Sequence, residues 1–180
     1  MSSAKWLALP LALLLSACQD VTDDLDPSGT DRRAEVVAGT SGHAAGQLAP
    51  DFTVPDSRGV SFTLSAELGG TSGVAMYFAM WCPVCDSHMS HMRTRVAADF
   101  PQVKFIIVDY VSGSASGARA AQIANGYTDF RVLADGDQAV LNLYDATMGS
   151  TVVVDSNGVV RMNEDYKDGT RLRETLEALP

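Results

Sequence analysis

From Leu48 to the C-terminus, short apolar runs alternate with polar turns and with segments of mixed character. Gly73 to Met80 is nearly all apolar, the pattern of a strand covered on both faces. Lys104 to Tyr110, containing Phe105-Ile106-Ile107-Val108, and Asp129 to Ala134 read as two further core strands. Asp51-Phe52-Thr53-Val54 and Gly59-Val60-Ser61-Phe62, joined by a turn at Asp56-Ser57-Arg58-Gly59, predict a pair of short strands. Asp86 to Ala97 is polar with Met89, Met92 and Val96 spaced along it and predicts a helix. Arg119 to Ala124 and Gln138 to Tyr144 are further helical windows. Thr151 to Val154, a turn at Asp155-Ser156-Asn157-Gly158 and Val159 to Met162 predict a hairpin, and Thr170 to Leu179 a closing helix. Strands alternating with helices in this order predict an α/β domain with a mixed central sheet and helices on both faces.

The first residues follow another rule. Met1 to Lys5 carry a positive start, and Trp6 to Leu15 form an apolar run too short to span a bilayer and interrupted by Pro10. The run ends in Leu15-Ser16-Ala17-Cys18, which resembles the lipobox of bacterial lipoproteins. The resemblance implies a signal peptide over residues 1–17, a lipid on the Cys18 sulfur and stable anchoring at the periplasmic face of a membrane. In Gram-negative lipoproteins an aspartate after the cysteine retains the protein at the inner membrane; Gln19 here points toward the outer one. Residues 18–46, rich in Asp, Thr, Ser, Gly and Ala, read as a flexible tether in which His43 is solvated. The folded domain is then expected over residues 47–180.

Composition narrows the chemistry. Of the 180 residues, 46% are hydrophobic, enough for one real core, and the formal net charge is -9, which argues against nucleic acid or an anionic membrane surface as a partner. There are three cysteines. With Cys18 blocked by lipid, a thiol cycle within the chain has to run between Cys82 and Cys85.

Those two cysteines lie in Trp81-Cys82-Pro83-Val84-Cys85, between a buried strand and a helix. Cysteines three apart at a helix start bring both sulfurs to one end of the helix, within bridging distance. The first sulfur faces unpaired backbone N–H groups and the positive end of the helix dipole, both of which favour its thiolate. Pro83 suits the first helical turn, where its missing N–H is not needed. Cys82 is thus the candidate nucleophile and Cys85 the resolving thiol that attacks a mixed disulfide at Cys82. A purely structural disulfide across so short a loop would constrain the unfolded chain little. A zinc half-site would need two more ligands, for which His88 and His91 are candidates.

In these features the chain resembles the thioredoxin-like superfamily, especially its membrane-tethered TlpA/ResA-type and AhpC/TSA (redoxin) members. The marks are Ala49-Pro50-Asp51-Phe52, Tyr77-Phe78-Ala79-Met80 leading into the cysteine motif, and Val152-Val153-Val154-Asp155-Ser156-Asn157-Gly158. The resemblance implies a thioredoxin-like fold with Cys82 exposed at one edge of the sheet. It also implies dithiol–disulfide exchange with protein thiols and disulfides, a separate recycling partner, and no cofactor beyond the Cys82–Cys85 pair.

Three departures from that family pattern carry expectations of their own. The family's cis-proline falls at Gly149, so a trans bond is expected there, with Met148 and Gly149 at the substrate-docking edge. The position of the family's buried acid holds Met76, and a second acidic position holds His88, which is then the candidate proton acceptor for Cys85. Finally, Cys82, Cys85 and His88, near His91, Met80, Met89 and Met92, form a conceivable soft donor set for Cu(I), although methionines on such a helix more often pack a core. The peroxiredoxin motif Pro-x-x-x-Thr/Ser-x-x-Cys is absent. Counting back three and seven from Cys82 gives Ala79 and Ala75, and from Cys85 gives Cys82 and Phe78.

Overall fold

In a computed structural model, residues 35–180 are described; the signal peptide, Cys18 and the first half of the expected tether lie outside them. Two short strands, β1 (Thr53–Pro55) and β2 (Ser61–Thr63), pair antiparallel and are followed by a single helical turn, α1 (Leu64–Glu67). The central elements are β3 (Gly73–Ala79), α2 (Pro83–His91), β4 (Val103–Asp109), α3 (Ala115–Ala124) and β5 (Arg131–Ala134). Then come α4 (Ala139–Leu143), β6 (Ser150–Asp155), β7 (Val160–Asp165) and α5 (Thr170–Glu177). The main sheet has the order β5-β4-β3-β6-β7, with β3, β4 and β5 parallel and β6 and β7 antiparallel. Among the described residues no helix is long and apolar enough to cross a membrane.

Strand β3 lies at the centre and is buried along its whole length, which is why it reads as a continuous apolar run. Its alternate residues serve two cores. Ala75, Tyr77 and Ala79 face a core with Cys85, Met89, Met92 and Val96 from the α2 side and Leu172 and Leu176 from α5. Val74, Met76 and Phe78 face the other core, with Phe62, Leu64, Val140 and Tyr144. Met89 and Met92 are 1% and 2% exposed, so they pack the helix onto the sheet. Met76 therefore points away from the cysteine side, and Tyr77 points toward it.

Several boundaries differ from the sequence reading. Helix α2 begins at Pro83, three residues before Asp86, because Cys82 is its N-cap and Pro83 fills the first turn. The coil continues past His91 as one π-helical turn (Met92–Val96) and a 3-10 turn (Ala97–Asp99). Helix α3 begins at Ala115 rather than Arg119, where the Ser114 hydroxyl accepts the Gly117 N–H at 3.1 Å.

The expected tether is also shorter than its composition suggests. Gly39 N–H donates to Gly46 O at 2.9 Å and Leu48 N–H to Thr40 O at 2.8 Å, closing a small loop. Gly46 N–H donates to Val160 O, Val160 N–H to Gln47 O, and Asn163 Nδ2 to His43 O. The loop thus pairs with the outer edge of β7, and His43 is half-buried rather than free in solvent. Backbone pairing of this kind needs no apolar side chains, so composition does not reveal it.

Candidate active site

Beyond the last residue of β3 the chain turns sharply. Trp81 has φ 59, in the left-handed region, where a bulky side chain is strained by about 1–3 kcal/mol. Two contacts hold it there. Its indole Nε1–H donates to Asp109 Oδ2 at 2.7 Å, and its ring lies 6.4 Å from that of Tyr127. Asp109 closes β4 directly opposite Ala79 and is 1% exposed. Its other oxygen accepts the Val111 and Ser112 N–H groups at 3.1 and 3.0 Å, so this buried carboxylate is fully occupied.

The turn delivers Cys82 as the N-cap of α2. Its sulfur accepts the Cys85 N–H at 3.2 Å and faces the Cys85 sulfur at 2.7 Å, both cysteines being free thiols. Cys82 is partly exposed and Cys85 fully buried. The hydrogen bond from the Cys85 thiol holds the Cys82 thiol below its ordinary pKa against the opposing effect of burial, with help from the Cys85 and Val84 N–H groups. Burial pushes the Cys85 thiol up, and so does its hydrogen bond to Cys82. One sulfur is open and easily ionised; the other is hidden and holds its proton. Pro83, Val84, Met80 and Met148 surround the open sulfur's end of the sheet with exposed side chains, of which Val84 is 52% and Met148 38% exposed.

His88 does not take the place expected of it. Its Nδ1 lies 3.0 Å from the Tyr77 hydroxyl, with the two rings edge to face, so this nitrogen is paired with a tyrosine rather than with Cys85. Tyr77 shares its core with Cys85, and burial, then the nearby cysteine sulfurs, raise the Tyr77 phenol above its ordinary pKa. Burial, then the neighbouring His91, lowers the His88 pKa and keeps the ring neutral near pH 7. On its other side His88 packs against Tyr166, with ring centroids 4.9 Å apart. His91 pairs with the Tyr166 hydroxyl at 2.7 Å through Nδ1. The two histidines are therefore spent on two tyrosines. Among the described residues no three His, Cys, Asp or Glu side chains are grouped as a metal-holding set.

Gly149 also needs correction. It has φ 90, its N–H donates to Phe78 O at 3.0 Å, and its carbonyl accepts the Tyr166 N–H at 2.8 Å. Proline, fixed near φ −65° and lacking an N–H, fits neither requirement. Among the described residues no peptide bond is cis. Gly149 is buried with both backbone groups used inside the sheet, which leaves Met148 as the exposed member of the expected docking pair.

Tyr77, Asp109 and Tyr166 were not singled out in the sequence. Tyr77 left a signal: a hydroxyl inside an otherwise apolar buried strand must find a partner. Asp109 left a weaker one, as the acid closing the Phe105–Val108 run. Tyr166 left none, because only the tertiary fold brings it to α2.

Comparison with known proteins supplies a frame. The model of the AhpC/TSA family matches residues 45–163. No curated protein sequence matches the chain. Peroxidoxin BcpB from Mycobacterium tuberculosis superposes with a TM-score of 0.64 at 20% identity, over 76% of this chain and 97% of its own. A Chlorobium tepidum protein described as a thiol:disulfide interchange protein, DsbE, gives 0.63 at 22% identity, over 75% and 96%. A secreted disulfide oxidoreductase of Mycobacterium tuberculosis, homologous to E. coli DsbE, gives 0.55 at 21% identity, over 71% and 96%. The fold is thioredoxin-like.

The asymmetry of the two sulfurs has a measurable consequence. Iodoacetamide at pH 7 is expected to alkylate Cys82 and leave Cys85 unmodified, as mapped by peptide mass. The rate should rise with pH through a midpoint below that of an ordinary thiol. Cys85→Ala, which removes the main hydrogen bond to Cys82, should move that midpoint upward. Equal modification of both cysteines would contradict the geometry.

Proposed function

The chain belongs to the AhpC/TSA family, and we propose that it acts as a thiol–disulfide oxidoreductase on protein substrates through Cys82 and Cys85. One observation carries the reading: an exposed, easily ionised sulfur and a buried, protonated one share the first turn of a single helix. The Cys82 thiolate attacks a substrate disulfide, forming a mixed disulfide and releasing one substrate thiolate. The Cys85 sulfur, having lost its proton, then attacks Cys82 Sγ and expels the second substrate thiolate. Two electrons have moved to the substrate, and the Cys82–Cys85 disulfide remains. The same steps in reverse oxidise a substrate dithiol. The pair is its own redox group, so no added cofactor enters the cycle, and a separate thiol partner resets it. The exposed apolar side chains of Met80, Val84 and Met148 supply a surface suited to an extended, partly apolar peptide.

Structural neighbours are named as disulfide oxidoreductases and as peroxidases alike, and what favours disulfide exchange over peroxide reduction is that the chain has Ala79 where the peroxiredoxin motif has its hydroxyl residue. We further place the domain outside the cytoplasm, tethered through a lipid on Cys18, on the strength of the Leu15-Ser16-Ala17-Cys18 sequence.

Two experiments test these readings. In an insulin-reduction assay driven by dithiothreitol, wild type should be active and Cys82→Ser inactive, while reduced Cys85→Ser mixed with insulin in the absence of dithiothreitol should accumulate a mixed disulfide. Activity surviving in Cys82→Ser would overturn the assignment, and so would rapid turnover of hydrogen peroxide without insulin reduction. For the anchor, radiolabelled palmitate should enter the wild-type chain expressed in a Gram-negative host, and Cys18→Ser should remain unlabelled and leave the membrane fraction. Equal labelling of both would reject Cys18 as the lipid site.

A further inference from the structure

The parallel strands β3, β4 and β5 end at one edge of the sheet, and the antiparallel β6 begins there. The segments beyond that edge are fastened together: Asp135 N–H donates to Asp109 O at 2.9 Å, and Gly149 N–H to Phe78 O at 3.0 Å. Cys82 shares this edge with the exposed side chains of Met80, Val84, Val111 and Met148. No lysine or arginine occurs in residues 80–92, 109–118 or 134–149, whereas Asp86, Asp109, Asp135, Asp137 and Asp145 all lie there. The connection after β7 reaches the same edge and holds Lys167 between Asp165 and Asp168.

Away from this edge, several acids are paired with cations. Arg131 meets Asp56 and Glu67, Lys104 meets Glu67, Arg161 meets Asp155 and Arg173 meets Asp99. At the cysteine edge none of the five aspartates from Asp86 to Asp145 has a cationic partner among the described residues. Asp86 accepts the Tyr127 hydroxyl at 2.6 Å, Asp109 the Trp81 indole N–H, and Asp135 the Val140 and Leu141 N–H groups. Asp137 and Asp145 are exposed. Arg93 stacks over Tyr127, yet its charge is matched by Asp129 at 3.4 Å. The helix starts at this edge, which would otherwise draw anions, are filled by the chain itself. The Cys82 sulfur occupies that of α2, the Ser114 hydroxyl that of α3 and the Asp135 carboxylate that of α4. The surface around the open sulfur is therefore apolar, with charge of one sign.

Resting on the oxidoreductase reading, we propose that the pair exchanges disulfides with protein segments whose reacting cysteine is flanked by apolar and cationic side chains. The apolar flank meets Met80, Val84, Val111 and Met148, and the methionine thioethers adapt to varied apolar shapes. The cationic flank meets Asp86, Asp137 and Asp145. Acids set on a low-dielectric surface focus their field outward, and complementary charge speeds encounter while like charge is rejected. An anionic partner is repelled from the same edge. The disulfide chemistry is unchanged; the edge selects which cysteine reaches Cys82.

Disulfide-linked peptide dimers that differ only in charge test the selection. Each peptide carries a cysteine between two leucines, flanked on both sides by lysine, by glutamine or by glutamate. The reduced full chain is mixed with an excess of each dimer at pH 7, and the released peptide thiol is measured after acid quench. At an ionic strength of about 10 mM, where the Debye length is about 30 Å, charge acts across the whole edge. There the lysine peptide is expected to react about tenfold faster than the glutamate peptide, the low end of electrostatic steering, with glutamine between them. At about 1 M salt, where the Debye length is about 3 Å, that ratio should fall toward one. A chain carrying Asp86→Asn, Asp137→Asn and Asp145→Asn together should show a ratio below about threefold at low salt. Asparagine keeps an acceptor for the Tyr127 hydroxyl and the Ala139 N–H, and at Asp145 it suits φ 48. The same peptides meet both chains, so their own thiol reactivity cancels from the comparison. A wild-type ratio below about threefold at low salt would overturn the proposal. So would a ratio that salt or the asparagine substitutions leave unchanged. In each of those cases reduction of the glutamine peptide by wild type, lost in Cys82→Ser, leaves the two-cysteine cycle standing. Release of no thiol from any of the peptides would overturn the cycle itself, and the selection with it.

Discussion

The hydrogen bond between the Trp81 indole and the buried Asp109 carboxylate anchors the turn on which the active site depends. A tryptophan at positive φ is unfavourable by itself, and it persists because β4 places an acid opposite the end of β3. That turn sets the direction in which α2 leaves the sheet. With it Cys82 becomes an N-cap whose sulfur takes up backbone N–H groups, and Cys85 falls one turn in, against the core. The different chemistry of two identical thiols follows from their positions at the helix start. Asp109 supports the turn from a neighbouring strand.

The face of β3 beneath the helix explains how this chain departs from the family pattern. Where the pattern has an acid, this chain has Met76, and the side chain at that position belongs to the opposite core. One residue along, Tyr77 places a hydroxyl in the core it shares with Cys85. The positive φ at Gly149 belongs to the same rearrangement. Its carbonyl pins the Tyr166 backbone, the Tyr166 ring covers His88, and proline could not adopt that conformation. The tyrosine–histidine pairs and the missing proline thus form one packed unit around α2.

Much of this architecture was legible in the sequence because burial leaves a pattern. The runs after Gly73 and Lys104 read as core strands since both faces are covered, and the hairpin near Asp155 had its turn residues. The cysteine pair was legible from its place between strand and helix. Helix α1 was missed because four residues carry no period, and residues 39–48 because their order comes from backbone pairing with β7. The start of α2 was placed too late because Cys82 caps the helix with sulfur, a residue outside the usual capping set. His88 is a proton-acceptor candidate in the sequence because it stands at an acidic position of the resembling family, three residues after Cys85. Which way its ring turns depends on Tyr77 from the sheet and Tyr166 from beyond β7, and a single helix cannot specify that.

The central claim is that Cys82 and Cys85 form a self-contained two-electron couple. It is tested most directly by equilibrating the chain with glutathione buffers of graded ratio, quenching with acid and measuring the intact mass. The expected result is one transition in which each chain loses two hydrogens, at a midpoint independent of protein concentration. A chain that instead accumulates glutathione on Cys82, or forms disulfide-linked dimers whose yield rises with concentration, would contradict it.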